Sequence, residues 1–488
     1  MSHVVVIGAG LSGLSAACHL VGQGHQVTVV EREPGPGGRG LRMEQDGFTF
    51  DLGPTVMTMP ELLDEPLRRI GSSQQQAVPM RRLDPAYRGI FADGSELLVR
   101  DSVERTAAEV EAFAGPADAQ AVRELAVFLR ELYELEMPNF IDTNYDTPLD
   151  LFRNPVAGLK LLRMGAFGRL KDVVNSRVDD ERLRRMLSFQ ALYAGLSPVE
   201  ALGVYSVITY MDTMHGVFLP DGGMGAIPEG MARELAKHAT ISYQTTVTAI
   251  LRRHDGQVVG VETTEGQISA DAVVCTLDLP VAYERLLPDL PKPRSLARPV
   301  YSPSALLWHV GVRGDLPLGA AHHNIHFGQA WEECFTDLQS GRIMRDPARL
   351  VTISSLGEPQ LAPEGMHTLY VLEPVPNLDG NVDWTAEAAP ARERLLAFLR
   401  SNGYPTDIVT EKMVTPLDWR EMGMAAGTPF GLAHLFRQTG PFRPANHDKR
   451  VPGLFFAGSS TVPGVGVPMV LISGKLAAQR VGDWLGVR

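Results

Sequence analysis

The chain has 488 residues, 44% hydrophobic and 21% charged, with a formal net charge of −12. That length predicts roughly two to four domains, and the acidic balance argues against nucleic acid as a general partner. Cys18, Cys275 and Cys334 lie far apart and follow no Cys/His ligand spacing, which argues against a disulfide framework or a zinc site and fits a reducing cytoplasm. The N-terminus runs straight into a strand-like segment without a basic leader, so no signal peptide is expected. No apolar run reaches 18 residues, so no membrane-spanning helix is expected either.

Val4–Ile7 reads as a buried parallel strand. Gly8-Ala9-Gly10-Leu11-Ser12-Gly13 follows at once, then a helix over Leu14–Gln23 and a strand over Val27–Val30. Glu31 closes that strand, 23 residues after Gly8. Strand, glycine turn, helix, strand and terminal acid make the context a dinucleotide fingerprint requires. Gly8 permits the tight turn, Gly10 admits a pyrophosphate, and Gly13 lets the helix pack on the strand. The helix N-terminus, opened by Leu11 and Ser12, offers free N–H groups and partial positive charge. Glu31 is expected to accept hydrogen bonds from ribose hydroxyls, with Arg32 beside it. This pattern does not distinguish NAD from FAD. Gly37-Gly38-Arg39 and then Gly53-Pro54-Thr55 add two further glycine turns and an arginine. Those suit a longer cofactor whose second half runs onward.

Residues 101–210 carry helix formers at helical spacing. Within them, 151–186 holds nine Lys or Arg against four acids, a local net of +5, interleaved with Leu159, Leu161, Leu162, Met164, Phe167 and Leu170. A basic amphipathic stretch of this kind can lie on an anionic bilayer; the competing reading is a solvated helix face. Residues 219–231 hold Gly222, Gly223 and Gly225 before a helix expected over about 228–238. Residues 241–251, 258–266 and 268–277 follow as three strand-like runs. Residues 295–440 alternate strands and helices, including a strand over 368–375 and a helix over 390–403. His322, His323 and His326 cluster without carboxylates or cysteines and are expected in a surface or hydrogen-bonded loop.

The chain ends on a strand at 454–457, the turn Gly458-Ser459-Ser460-Thr461, and the loop Pro463-Gly464-Val465-Gly466-Val467-Pro468. A helix over Met469–Val481 follows, with small residues for close packing. Its N-terminus is a second anion or carbonyl site.

Glu31-x5-Gly37-Gly38-Arg39 resembles the flavin-binding signature of the amine oxidase and carotenoid desaturase superfamily. The closing loop most resembles the bacterial phytoene desaturase family, whose ending reads G-x-G-T-H-P-G-x-G-x-P. Residues 47–58, 219–231, 361–384 and 441–458 continue the likeness over nearly the whole chain. Two positions depart from it: Val462 stands where the family has histidine, and Ser459 fills a small apolar slot.

The resemblance implies an α/β fold: a discontinuous, Rossmann-like three-layer FAD domain from 1–85, 219–290 and 441–488. A helical, membrane-associating cap over 101–210 and a mixed-sheet substrate domain from 86–100 and 295–440 complete it. It implies FAD held by the residues named above together with Gly458, Ser459, Gly466, Val467, Pro468 and Met469, with backbone of Val247 at the adenine end. The implied reaction is stepwise dehydrogenation of phytoene or a related carotenoid by hydride transfer to the flavin. Since no second nucleotide fingerprint is present, quinone or oxygen is expected to take the electrons. The place of work is expected to be the inner face of the cell membrane. Asp150-x-x-Arg153 matches the family's D-x-x-R and makes both residues candidates for acid/base or charge-stabilising roles. The competing reading is an exposed helix-start ion pair, worth at most about 1 kcal/mol. Other readings are a desaturase of another carotenoid, a redox-neutral isomerase, and a flavin-bearing lipid carrier without turnover.

Overall fold

A computed structural model describes residues 1–486. Its organising element is a five-stranded, wholly parallel sheet in the order 454–456, 272–275, 3–7, 26–30, 240–242. Segments far apart in sequence therefore meet as neighbouring strands. The central strand is covered on both faces, which explains why it reads as an unbroken valine run. Val4 and Val6 pack toward helices Leu11–Gly22, Ala226–Leu235 and Val467–Leu485. Val5 and Ile7 pack toward the antiparallel sheet of 247–252, 258–263 and 266–269 and toward helix Leu279–Leu286. These are the three layers.

Two expected strands divide. The run 241–251 breaks at Gln244, whose φ is +53°. Its first part completes the parallel sheet, and its second joins the antiparallel one. The run 268–277 is shared in the same way between strands Gly266–Ser269 and Ala272–Cys275. Hydrophobicity is continuous across both breaks because both sheets bury apolar side chains.

The second large sheet has seven strands in the order 407–414, 304–313, 366–375, 349–352, 323–326, 87–90, 96–99. Only the pair 323–326 with 87–90 is parallel. Helix Trp384–Ser401 packs on it. That helix starts six residues before the expected Pro390, because Asp383 caps it by accepting from Thr385 N at 3.0 Å and from Ala386 N at 3.4 Å. His323 and His326 lie in this sheet, not in a surface loop. His323 is fully buried, its ring held between the carbonyls of Ala86 at 3.1 Å and Thr55 at 3.0 Å.

Helices Val103–Ala114 and Pro116–Glu136 pack their apolar faces on the outer strands of this sheet. Short helices over 155–163, 170–175 and 181–186 complete the cap. Among the described residues no helix is long and apolar enough to cross a membrane.

Candidate active site

The first and last helices of the parallel-sheet unit run against each other. Ser15 Oγ donates to Leu471 O at 2.7 Å. A Cβ on Gly474 would fall 2.4 Å from Ser12 O, so only glycine permits this approach. Neither helix has a side-chain cap or an acid in its first turn. Their uncapped N–H groups face one cavity of about 1080 Å³, above the roughly 300–1,000 Å³ of a single small-molecule site.

Every cofactor-contact residue expected from the sequence lines this cavity except Gly13. Gly8, Gly10, Leu11 and Ser12 form its floor; Glu31, Arg32, Gly38 and Arg39 flank them. Gly53, Pro54 and Thr55 continue one wall, and Val247 stands near Glu31 at the strand end. Gly458, Ser459, Gly466, Val467, Pro468 and Met469 close the opposite side. Gly13 lies beneath: a Cβ there would meet Gly8 O at 2.0 Å. Gly8 itself has φ +101°, a backbone that strongly favours glycine.

Glu31 is buried, and both its oxygens accept backbone N–H groups. Oε2 takes Ala9 N at 2.7 Å and Oε1 takes Glu33 N at 2.9 Å. The carboxylate thus fixes the glycine turn against the strand end while keeping lone pairs for a ribose. Arg32 points outward, donating to Met422 O at 3.0 Å. The two later glycine turns touch, since a Cβ on Gly53 would lie 1.7 Å from Arg39 O. Arg39 then reaches across to the closing loop, donating to Pro429 O at 2.6 Å and to Ser459 Oγ at 2.5 Å.

Three supporting residues escaped the sequence reading. Asp278 lies 3.9 Å from Arg39, accepts Ala425 N at 2.8 Å, and also accepts the Ser460 hydroxyl. Burial pushes its carboxyl up, opposed by the Arg39 charge. Arg443 is buried and donates to the carbonyls of Thr461, Gln438, Leu432 and Ser459. Desolvation lowers its guanidinium to about 10. His434 meets the closing loop at Gly464, where a Cβ would fall 2.0 Å from Nε2, and its Nδ1 lies 3.0 Å from Ala194 O. The imidazole beside this loop therefore comes from another segment than the one where Val462 stands. Only the PFRPAN run around Arg443 was visible as a pattern in the sequence.

Asp150 and Arg153 do not line the cavity. Asp150 completes a capping box with Thr147, its Oδ2 accepting Asp146 N at 2.6 Å and Thr147 N at 2.9 Å. Those two bonds, then Arg153, hold its carboxyl below the usual range. Arg153 pairs with it at 3.0 Å, donates to Asn144 O at 3.0 Å, and is half exposed.

Beyond the cradle the cavity is apolar, lined by Leu151, Leu161, Phe167, Phe189, Met211, Ile325, Leu350 and Leu372 among others. Phe167 and Phe436 line it and also reach the surface, 45% and 53% exposed. Around them Leu149, Phe152, Val156, Leu159 and Leu162 are exposed as well.

A family model described as flavin containing amine oxidoreductase matches residues 11–482. The chain belongs to this family. It is 47% identical to a phytoene dehydrogenase of Streptomyces griseus, over 99% of this chain and 95% of that protein. It is 37% identical to a zeta-carotene-forming phytoene desaturase of Myxococcus xanthus, over 99% and 94% respectively. The fold matches an oxidoreductase structure from Methanosarcina mazei with a TM-score of 0.66 at 18% identity, covering 99% of this chain and 100% of that one. Within the family the chain stands with the phytoene desaturases, and it is an FAD-dependent oxidoreductase. The site fits that cofactor: two uncapped helix N-termini suit the pyrophosphate, and Glu31 suits the ribose.

Proposed function

We propose that this flavoenzyme desaturates phytoene, or a closely related carotenoid, stepwise toward lycopene at a membrane surface. One observation carries the reading. A single cavity runs from the dinucleotide cradle through an apolar channel to an exposed apolar rim. FAD, when bound, supplies an acceptor for the hydride of an activated C–H bond. The chain's own residues do the rest. Leu161, Phe189, Met211, Ile325 and Leu350 give a hydrocarbon no polar handle, so shape orients it and water is excluded.

The rim supports membrane docking. Leu149, Phe152, Val156, Leu159, Leu162, Phe167 and Phe436 are exposed around the mouth, and Lys160, Arg163, Arg169 and Arg437 lie along the same segments. Each basic group contributes about 1 kcal/mol near an anionic surface. A substrate dissolved in lipid would enter there. Work at the inner face of the cell membrane, with a membrane quinone or oxygen as electron acceptor, follows from this reading. In it, Asp150 and Arg153 shape the docking edge and take no part in the reaction.

The test is the absorption spectrum of lipid extracts from phytoene-producing cells with and without the chain. Longer-wavelength, finely spaced bands report added conjugated double bonds. Unchanged phytoene would overturn the reading, and a cis/trans change without new double bonds would favour an isomerase.

A further inference from the structure

Besides Glu31 and Asp278 of the cradle, two further carboxyl side chains are buried in the wall of the cavity, Glu136 and Asp212. Asp212 is partly partnered: the Tyr87 hydroxyl donates to its Oδ1 at 2.5 Å, while its Oδ2 is buried without a partner among the described residues. Glu136 has no such side-chain donor among the described residues. It is 4% exposed, and its Oε1 is buried with no hydrogen-bond partner among the described residues. It is the last residue of helix Pro116–Glu136. The next residue, Met137, packs with Tyr145, Val462 and Ile472, whereas Leu132 and Leu135 pack with Leu161 of the cavity mouth. The carboxyl therefore stands where the cradle side of the cavity meets the apolar channel.

A lone carboxyl in an apolar wall is costly to bury, and a neutral side chain of that shape would pack as well. A hydrocarbon cannot return a hydrogen bond to it. What a hydrocarbon undergoing dehydrogenation can exchange with a carboxylate is a proton. We propose that Glu136 accepts the proton released from the substrate at each desaturation, an assignment that rests on the desaturase reading above. The balance is complete. One C–H bond breaks with its electron pair leaving as hydride to the cofactor, which is reduced as the substrate is oxidised. In the same step the C–H bond on the neighbouring carbon breaks, its pair becomes the new C=C bond, and its proton bonds to a Glu136 oxygen.

The surroundings suit that role. Burial alone pushes the Glu136 carboxyl well above the usual carboxylate range, which makes its ionised form a stronger base. The ionisable groups that feel its charge are the phenols of Tyr145 and Tyr205, both kept protonated by burial. Behind Tyr205 stand Arg443, which acts on its phenol, and His434, whose ring meets it edge-on at 5.6 Å. Among the described residues no salt bridge holds the charged form of Glu136 in place, so the group can alternate between neutral and ionised states.

The experiment uses the FAD-loaded enzyme on anionic vesicles carrying phytoene, without oxygen, and follows flavin bleaching from about pH 5 to 9. Wild type should show a rate that rises with pH on a limb above the ordinary carboxyl range. Glu136→Gln should keep its flavin spectrum and vesicle binding, lose that limb, and bleach about 10²-fold more slowly or worse. Glu136→Asp should retain the limb at reduced rate. Infrared spectra should show a protonated carboxyl band that titrates with pH in wild type and is missing in Glu136→Gln. A wild-type rate and profile in Glu136→Gln would overturn the assignment, as would a limb that survives there and vanishes in Asp212→Asn. Should Glu136→Gln lose its flavin, the infrared titration of wild type and the limb in Glu136→Asp decide. Failure of wild type itself to bleach with phytoene would instead overturn the desaturase reading.

Discussion

Arg39 donates to the Ser459 hydroxyl at 2.5 Å across 420 positions of chain. With the Pro429 carbonyl at 2.6 Å and Asp278 at 3.9 Å, this one guanidinium ties the N-terminal glycine turns to the closing loop. A charged hydrogen bond is worth about 1.5–3 kcal/mol. Arg39→Ala should therefore weaken FAD retention by about 10- to 100-fold. Flavin fluorescence released on dilution reads this directly. Arg39→Lys should recover little, because an ammonium cannot reproduce the planar fork.

The helix crossing gives a second prediction. Gly474→Ala puts a methyl 2.4 Å from Ser12 O, and Gly13→Ala puts one 2.0 Å from Gly8 O. Each should destabilise the fold by about 1–3 kcal/mol through forced separation of packed backbone. Chemical unfolding of the two variants would measure it. A small residue on an open surface, such as Gly158, which has no atom within 4 Å of its added Cβ, should tolerate alanine.

Asp150→Asn should replace a charged acceptor of two backbone N–H groups by a neutral one and lose the pairing with Arg153, lowering stability by at most about 1 kcal/mol. Flavin reduction by substrate should keep its rate. A large drop in rate with intact flavin would return Asp150 to the list of reacting groups.

Replacing exposed Phe152 and Leu159 by serine should cut partitioning onto anionic vesicles at least tenfold, since each buried apolar side chain contributes about 1.5–3 kcal/mol. Sedimentation with vesicles reads the effect, and raised salt should weaken what binding remains by screening the basic rim. Equal partitioning of variant and wild type would place the docking surface elsewhere.

Asp212 predicts a pH dependence of stability. Burial raises its carboxyl to about 7, against hydrogen bonds from Tyr87 and Gln190 that lower it. A raised folded-state value means that the native state holds its proton more tightly than the unfolded chain. Its stabilising contribution is full below about pH 4 and is lost as the pH rises through about 7. Asp212→Asn still accepts the Tyr87 hydroxyl but carries no titrating proton. The difference in melting temperature between wild type and this variant should drift against wild type across that window.

Much of the cradle was legible because its chemistry is local. Gly8, Gly10 and Gly13 answer to contacts within one strand–turn–helix unit, and Glu31 closes the same unit. The closing loop was legible for the same reason. Glu136 and Asp212 were not, because each looks in sequence like a polar position on an ordinary helix. Their burial is decided by other segments: Val462 and Leu161 enclose the neighbourhood of Glu136, and Tyr87 comes to Asp212 from a distant strand. The basic run at 151–186 announced a surface, but not that Leu151 and Leu161 turn inward to line the channel while Leu159 and Leu162 turn out. Strand boundaries failed at Gln244 because two sheets share one hydrophobic run.

The parallel sheet has a bearing on synthesis. Its edge strand, 454–456, and the helix 467–485 that packs on the first helix leave the ribosome only after every other strand of that sheet. Until they emerge, Ala272–Cys275 has an open edge and Leu14, Ala17 and their neighbours lack their cover. The nascent chain must therefore hold a sticky, half-built nucleotide site while the segments between its two halves are made. Cofactor capture waits for the closing strand and helix, and a chain stalled before them should be recognised by chaperones and proteases before it ever turns yellow.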